Sequence, residues 1–211
     1  MVSEKRKKLD EEKKVKTRNS LLEAAIEVFL LKGYHQTNIS DIVAKAVVGQ
    51  GTFYRNFKSK KDIFESILKI FIDKVIYEFS GGFLNVEQMP SSFDEYKEKS
   101  LKASLRVMPI IMENKDIMKL FFRDALIIDK EFEKEVISIF EDFINLAEHY
   151  LKHSVKEGFI RDCNTRIVAQ SIMGMVIQII KSWLYGDFPD SEIEDIMIEI
   201  NNFIFSGIIK T

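Results

Sequence analysis

The stretch that decides the fold is YHQTNISDIVAKAVVGQGTFYRNFKSKKDIF, residues 34–64, which predicts two short helices joined by a tight turn and followed by a longer helix. Asn38 is a good N-cap, and Asp41, three residues later, places a carboxylate near the free amides of the first helical turn. Apolar residues then recur at helical spacing. Gly49 interrupts this pattern and predicts a loop or cap just before a second helix of about residues 50–57.

The second helix has one apolar face and one polar face. Phe53 and Phe57 are four residues apart, so both face the core and turn the remaining side chains toward solvent. The polar side chains on the solvent face are Gln50, Thr52, Tyr54, Arg55 and Asn56. Arginine pairs with guanine, and asparagine or glutamine with adenine, so this face is a candidate for reading base edges. The alternative is a helical hairpin with an ordinary polar surface.

Four motifs at fixed spacing mark the stretch: G-Y-x-x-T at 33–37, I-x-D-I-V-A at 39–44, G-T-F-Y-x-x-F at 51–57 and K-S-K-K-D-I-F at 58–64. In these motifs the chain resembles the helix-turn-helix of the tetracycline-repressor (TetR) family of bacterial regulators. The resemblance implies DNA contacts at Thr37, Gln50, Gly51, Thr52, Tyr54, Arg55, Asn56 and Lys60. Thr37 and Lys60 are expected at two helix starts, where backbone amides favour phosphate.

The turn between the two short helices departs from the family pattern. The family usually has A-G-V-S there, whereas this chain has Ala46, Val47, Val48 and Gly49. A β-branched valine in place of glycine costs free energy if the backbone needs a positive φ. We therefore expect this turn to be the least comfortable part of the helix-turn-helix.

Composition predicts an all-α fold. The 211 residues contain only three prolines and nine glycines, so the chain has long uninterrupted segments, and 46% of its residues are hydrophobic. Helical periodicity predicts about nine helices. The first three form the helix-turn-helix domain, and a long helix from Ser59 to about Ser80 joins them to a larger helical domain. In the family that the chain resembles, this fourth helix is the lever between the two domains.

Charge is distributed unevenly along the chain. Residues 1–61 hold 14 Lys and Arg against 7 Asp and Glu, and the remainder holds 17 against 26. A basic N-terminal part suits phosphate attraction, while an acidic remainder would repel DNA. We place the DNA-binding domain at residues 1–58 and a ligand-binding and dimerisation domain at 59–211. The basic run at residues 5–8 could equally be a solvated tail.

The acidic part contains the materials of an apolar pocket, because adaptable methionines and aromatic rings are concentrated there. The candidate ligand-binding residues are Phe71, Arg106, Met108, Met112, Phe122, Arg123, Phe143 and Met173. Most of these apolar side chains must still be plain core. The two arginines are more often ion-paired or snorkelling residues than ligand anchors. If one faces the cavity, an anionic lipophile such as a fatty acid becomes the favoured ligand.

The last two helices carry more apolar surface than one domain needs to bury, and small residues allow close helix approach. The candidate interface residues are Ala169, Ile172, Gly174, Val176, Ile196, Ile200, Phe203 and Ile204. The alternative is an interior helix pair in a monomer. By resemblance we expect a two-fold homodimer formed by a four-helix bundle, which would place two reading helices on successive major-groove faces of a palindromic operator.

Several classes of protein are disfavoured. No nucleophile with a base, phosphate loop or paired carboxylates is present, so we expect no enzyme and no cofactor. His149, His153 and Glu157 share a helix face, but without a second ligand cluster we expect no metal site.

Cys163 is the only cysteine, and no apolar signal core begins the chain. The apolar run at 167–184 contains Gln and Lys and is expected not to span a bilayer, which favours the cytoplasm.

Together these features predict a ligand-responsive DNA-binding regulator. We expect a repressor that a small lipophilic effector releases from a palindromic operator. The alternative is a helical small-molecule-binding or enzymatic protein whose helix-turn-helix no longer binds DNA. The sequence does not specify the operator, the regulated genes, the sign of regulation or the effector.

Overall fold

The computed structural model describes residues 2–83, 89–124, 128 and 130–209. These residues form nine α-helices and one short 3-10 helix at Asp190–Glu192, and they contain no β-strand, which confirms the all-α prediction. The helices are α1 Val2–Lys32, α2 Ile39–Lys45, α3 Gln50–Asn56, α4 Lys60–Phe83, α5 Phe93–Glu113, α6 Lys115–Asp124, α7 Lys130–Lys156, α8 Thr165–Leu184 and α9 Ile193–Ile208.

Helices α1 to α4 enclose a core that combines aliphatic side chains with several aromatic rings. Phe29, Phe53 and Phe64 are fully buried, and the rings of Phe29 and Phe64 meet edge-on at 5.3 Å. Such edge-to-face pairs add to the free energy gained by burying the rings. The same cluster continues into Leu120 of α6 and Phe132 of α7. The predicted domain boundary at residue 58 stays a prediction. The N-terminal core contains residues from both sides of this boundary.

Helix α4 connects two hydrophobic cores. Its first half, including Ile63 and Phe64, belongs to the N-terminal core, and Phe71 begins a second core with α5, α6, α8 and α9. Ser59 caps the helix, because its Oγ accepts a hydrogen bond from the Asp62 amide at 3.1 Å. The helix has 24 residues and is about 36 Å long. It therefore reaches from the helix-turn-helix to the centre of the larger helical part.

Helix α5 passes through a proline, a residue that commonly ends or kinks a helix. Pro109 lies inside the helix, which continues to Glu113 and is capped at Asn114. A proline this close to the C-terminus removes one backbone hydrogen bond, and four further residues still complete the helix. The N-terminus of α5 is well capped, since Ser92 Oγ accepts from the Glu95 amide at 3.1 Å.

The turn between α2 and α3 holds Val47 in the left-handed region. Its φ is 55°, the only positive φ of a residue other than glycine among the described residues. The Val48 amide donates to Val43 O at 3.0 Å and the Val47 amide to Ala44 O at 3.3 Å, which is the Schellman pattern of a helix C-terminus. Val47 occupies the position that this motif usually gives to glycine, so the expected strain is present.

Replacing Val47 with glycine should stabilise the protein. The side chain is 89% exposed and packs against little, so its loss costs almost nothing. A β-branched residue in the left-handed region costs about 1–2 kcal/mol. Glycine removes this cost, but it also raises the conformational entropy of the unfolded chain, which offsets part of the gain. We expect Val47→Gly to raise the free energy of unfolding by about 1 kcal/mol, or Tm by about 2–4 °C. Val48→Gly, at the neighbouring half-buried position, should lower Tm. If the two substitutions changed Tm by the same amount, the backbone at Val47 would not be strained.

Candidate DNA-reading helix and ligand cavity

Helix α3 presents a polar face on a rigid aromatic base. Phe53 is fully buried, Phe57 is almost so, and their ring centroids lie 5.8 Å apart. The predicted residues Gln50, Gly51, Tyr54 and Arg55 are exposed, whereas Thr52 and Asn56 are half-buried. The face that the four-residue spacing of the phenylalanines predicted is therefore the face that the structure exposes.

Hydrogen bonds within α3 fix some of its polar side chains. The Arg55 Nη2 donates to Thr52 Oγ1 at 2.8 Å, and the side-chain Nδ2 of Asn56 donates to the backbone carbonyl of Thr52 at 2.8 Å. Arg55 and Tyr54 remain on the surface, and Tyr54 is 57% exposed. These two side chains are the best placed to reach a DNA groove, while Asn56 is turned back onto its own helix.

Arg18 of α1 holds the far end of α3, a role that the sequence reasoning missed. Its Nη1 donates to Asn56 O at 3.0 Å, and its guanidinium carbon lies 4.2 Å from the centre of the Phe57 ring. The second guanidinium nitrogen reaches Ser66 Oγ of α4 at 3.4 Å. A cation at a helix C-terminus also interacts favourably with the helix dipole. The only signal for Arg18 in the sequence is its position next to the buried apolar residues of α1, which begin at Leu21.

Thr37 and Lys60, predicted as phosphate contacts, have intramolecular partners. Thr37 is 1% exposed and its hydroxyl donates to Gly33 O at 2.8 Å. The Lys60 ammonium donates to Tyr34 O and Thr37 O, both at 2.7 Å, and lies 4.5 Å from the centre of the Tyr34 ring. Burial lowers the pKa of Lys60. The Thr37 side chain thus bonds within the loop between α1 and α2, and Lys60 holds that loop against α4. Their assignment as phosphate contacts stays a prediction.

A cavity of about 260 Å³ lies between α4, α5, α6, α7, α8 and α9. Its wall is apolar, and no charged side chain lines it among the described residues. Five of the predicted ligand-binding residues line this cavity: Phe71, Met108, Phe122, Phe143 and Met173. The size is near the lower end for pockets that hold small molecules. Five of the eight residues of the predicted apolar site therefore meet around one cavity.

Three residues predicted to contact the ligand, Met112, Arg106 and Arg123, do not line the cavity. Arg106 is exposed to solvent. Arg123 instead donates to Phe29 O of α1 at 2.6 Å and pairs with Asp124 at 2.9 Å. A guanidinium facing an apolar cavity would be an uncompensated buried charge, whereas a helix C-terminus offers free carbonyls. Neither arginine therefore supplies a counter-charge for an anionic ligand in the cavity.

The predicted interface residues fall into three groups. Ala169 and Ile200 are buried inside the chain itself, so neither forms part of an exposed face. Gly174 and Phe203 are exposed, and Phe203 is 67% exposed despite its size. The remaining four, Ile172, Val176, Ile196 and Ile204, are half-buried. The surface that could meet a second copy is thus the outer face of α8 and α9 around Gly174 and Phe203.

The histidines of α7, His149 and His153, are four residues apart on one helix face. No group of three or more His, Cys, Asp or Glu side chains suited to a metal occurs in the part of the chain that the structure describes. His153 Nε2 lies 3.0 Å from Pro90 O, which ties α7 to the segment before α5. This histidine therefore has a structural partner.

Comparison with known proteins identifies the family. The model of "Bacterial regulatory proteins, tetR family" matches residues 21–67. The HTH-type transcriptional regulator YvdT of Bacillus subtilis (strain 168) is 30% identical over 190 residues, which cover 87% of this chain and 91% of YvdT. The chain belongs to the TetR family. It is a transcriptional regulator with a DNA-binding helix-turn-helix, as the motifs predicted, and its relatives are not enzymes.

Other members of the TetR family match over similar lengths. The fatty acid metabolism regulator protein of B. subtilis is 25% identical over 79% of this chain and 83% of its own length. The HTH-type transcriptional repressor BepR of Brucella suis is 25% identical over 81% and 82%. The crystal structure of FadR from B. subtilis in complex with stearoyl-CoA superposes with a TM-score of 0.73 at 21% identity, covering 89% of this chain and 97% of FadR. This last likeness establishes the fold alone.

Helix α8 is long and apolar enough, by length and composition, to cross a membrane. The sequence interpretation had excluded this because of its Gln and Lys residues. A core helix of a soluble protein passes the same test when it is mostly buried, but only 22% of the most apolar window of α8 is buried here. Most of the remaining residues of α8 are half-buried, and Ile172, Met173, Val176 and Ile177 among them line the cavity.

Removing the Lys60 ammonium should weaken the fold more than DNA binding. Its hydrogen bonds to Tyr34 O and Thr37 O come from a charged donor, and such bonds contribute about 1.5–3 kcal/mol when buried. Lys60 is only half-buried, so we expect Lys60→Met to cost about 1–2 kcal/mol in urea denaturation. Lys58→Met, at an exposed position, should cost less than about 0.5 kcal/mol.

The salt dependence of DNA binding separates the two roles of Lys60. A lysine that contacts phosphate contributes about one unit to the slope of log K against log salt concentration. We expect the slope of Lys60→Met to stay at the wild-type value. A stable Lys60→Met protein with a slope lower by about one unit would instead support the phosphate contact.

Proposed function

We propose that the protein is a homodimeric repressor that leaves a palindromic operator when a small lipophilic effector fills the cavity. The observation that carries this proposal is the apolar cavity of about 260 Å³, because Phe71 of its wall lies on α4, whose first half shares the N-terminal core with α3. A molecule in the cavity would touch the element that positions the DNA-reading helix. The names of BepR, a repressor, and of FadR, crystallised with stearoyl-CoA, support this reading.

The DNA-binding residues that we propose are Tyr54 and Arg55 first, with Gln50, Gly51 and Thr52 beside them. They share the exposed face of α3, and no acidic residue occurs in that helix. Arg55 can pair with guanine, and the Tyr54 hydroxyl can donate to phosphate or a base edge. Asn56 and Lys60 contribute by positioning, since their polar groups are occupied within the protein.

The dimer that we propose uses the outer face of α8 and α9. Gly174 allows close approach of a second helix, and the exposed ring of Phe203 supplies apolar area. Two-fold pairing through this face would also cover Ile167, which lies two turns from Gly174 on α8 and is 59% exposed in the single chain. Two copies would present their α3 helices to half-sites about 34 Å apart, one turn of the DNA helix.

Release from DNA requires that the effector prefer one conformation. A ligand shifts an equilibrium only by its differential affinity for the two states, and a complete switch needs a preference of about 10⁴-fold. We propose that the DNA-free conformation has the larger cavity, and that the change is a tilt of α4 that alters the separation of the two α3 helices. The protein acts on chromosomal DNA, so we place it in the cytoplasm.

Removing the two exposed side chains of α3 should abolish specific DNA binding. We expect Tyr54→Ala combined with Arg55→Ala to weaken binding to the upstream intergenic DNA by about 100-fold or more, since each base-edge contact is worth about 1–3 kcal/mol. A gel shift at several salt concentrations measures this loss. The matched control is Tyr77→Ala with Lys69→Ala, an exposed tyrosine and an exposed lysine on α4. Undiminished binding by the α3 variant would favour a protein that no longer reads DNA.

A charge at the centre of the proposed interface should separate the copies. We expect Phe203→Glu to convert the dimer into a monomer at micromolar concentration, because a desolvated carboxylate there has no partner. Light scattering coupled to gel filtration gives the mass. Tyr77→Glu changes an aromatic residue that is 76% exposed on α4 and should remain dimeric. A monomeric wild-type protein, or a dimeric Phe203→Glu protein, would rule out this interface.

A further inference from the structure

The polar groups of the cavity wall are few and lie on two helices. They belong to Tyr96, Ser100 and Ser104 of α5 and to Asn201 of α9. The three α5 residues are spaced four apart and therefore share one helix face. The rest of the wall is aliphatic or aromatic. The cavity thus has one polar strip, and that strip contains no ionisable side chain other than the Tyr96 phenol.

Tyr96 presents a hydroxyl group without a partner. The residue is 5% exposed, and its ring is held edge-on by Phe205 at 4.9 Å and stacked on Tyr150 at 6.2 Å. Within the described residues no hydrogen-bond partner of the Tyr96 hydroxyl occurs. Burial, with the neighbouring Tyr150, raises the pKa of Tyr96. The phenol therefore stays protonated at all physiological pH values and can donate to a ligand oxygen.

Asn201 is the second buried polar group with unused capacity. It is 4% exposed, and its side-chain nitrogen reaches Lys97 O at 3.5 Å, the only hydrogen bond of this amide among the described residues. That distance is at the limit for a hydrogen bond. A buried amide can form up to four hydrogen bonds, and buried polar groups are normally satisfied. The Asn201 side chain can therefore both donate to and accept from a molecule in the cavity.

Charged head groups find no compensation in this cavity. No lysine or arginine lines it in the described part of the chain, Arg106 is exposed, and Arg123 is bound to α1. A carboxylate or ammonium buried without a counter-charge costs several kcal/mol, whereas a hydroxyl or carbonyl needs only hydrogen bonds. The Tyr96 hydroxyl and the Asn201 side-chain amide, each of which can donate and accept, supply those bonds.

A cleft outside the cavity adds to the exclusion of anions. It lies between α4 and the start of α7, and Ile72 and Ile139 line both the cleft and the cavity. Its charged lining residues are Asp62, Glu65, Asp73 and Glu135, against Lys69 alone. Glu65 also pairs with Lys61 at 3.3 Å, which reduces its field. An anion approaching through this cleft would still meet a net negative surface.

We propose that the effector is an uncharged lipophile whose hydroxyl, carbonyl, ester or amide group is hydrogen-bonded by Tyr96 and Asn201. This inference rests on the proposed function, because it assigns the effector of the same cavity. Its apolar part occupies the region lined by Phe71, Met108 and Phe143, and its polar group lies against α5 and α9. Free fatty acids in the ionised form and lipophilic cations are excluded.

Three competitors with an unbranched chain of ten carbons test the head group. The full-length protein is loaded with N-phenyl-1-naphthylamine, an uncharged fluorescent probe, and titrated with 1-decanol, decanoate and decyltrimethylammonium at about pH 7.5. We expect decanol to displace the probe at a concentration at least about tenfold lower than either ion, because only the ions bury a charge. Lowering the pH by about one unit should improve displacement by decanoic acid about tenfold, since its neutral fraction rises by that factor.

Two nearly isosteric variants test the residues. Tyr96→Phe and Asn201→Leu should each weaken decanol binding by about 3–10-fold, the equivalent of one hydrogen bond, and change the affinity for the probe by less than about twofold. Retained probe binding establishes that each variant is folded. Tyr185→Phe removes the hydroxyl of a tyrosine that is 65% exposed and outside the cavity, and it should bind decanol like the wild type.

The outcomes distinguish the head-group inference from the cavity itself. If either ion displaces the probe at the same or a lower concentration than decanol, or if both variants bind decanol like the wild type, the proposed head group is wrong while an effector cavity remains. If the probe does not bind, or if none of the three competitors displaces it, the effector part of the proposed function fails together with this inference.

Discussion

One apolar stripe of α4 serves two hydrophobic cores, and the rest of the structure depends on this sharing. Phe64 packs against Phe29 and Tyr34 in the N-terminal core, and Phe71, two turns later, belongs to the cavity wall. Close-packed interiors resist small displacements, so a shift of Phe71 cannot be absorbed locally. The helix must move as a unit or transmit strain to its neighbours. A regulator with this arrangement needs no separate mechanical link between ligand and DNA-reading helix.

A second connection runs through α6 and α1. Phe122 lines the cavity, and the next residue, Arg123, donates to the carbonyls of Phe29 and Leu30 at the end of α1. Asp124 is buried and pairs with Arg123, which fixes the direction of the guanidinium. Helix α1 in turn holds the end of α3 through Arg18. The cavity is therefore joined to the reading helix by two paths, one through α4 and one through α6 and α1.

Local patterns predicted what local geometry decides. The four-residue spacing of Phe53 and Phe57 fixed the exposed face of α3, and Asn38 and Ser59 marked helix starts that the structure contains. Lys60, Arg18 and Arg123 were beyond such reasoning, because their partners are backbone carbonyls that lie 23 to 94 residues away in sequence. A carbonyl carries no sequence signal, since every residue has one. Only the fold determines which helix end comes within reach of a cation.

The same difference between local sequence pattern and contacts made by the fold explains which residues of the ligand site could be predicted. Hydrophobic and aromatic composition was enough to predict an apolar cavity, but the residues that give it chemical character could not be ranked from composition. Two arginines in apolar helices drew attention because charge is conspicuous, yet each has a lower free energy at the surface or at a helix end than in an apolar wall. Tyr96 and Asn201 are inconspicuous in sequence and become informative only when burial removes water as their partner. For an apolar cavity, the few polar groups that line it therefore say more about the ligand than the charges that its sequence contains.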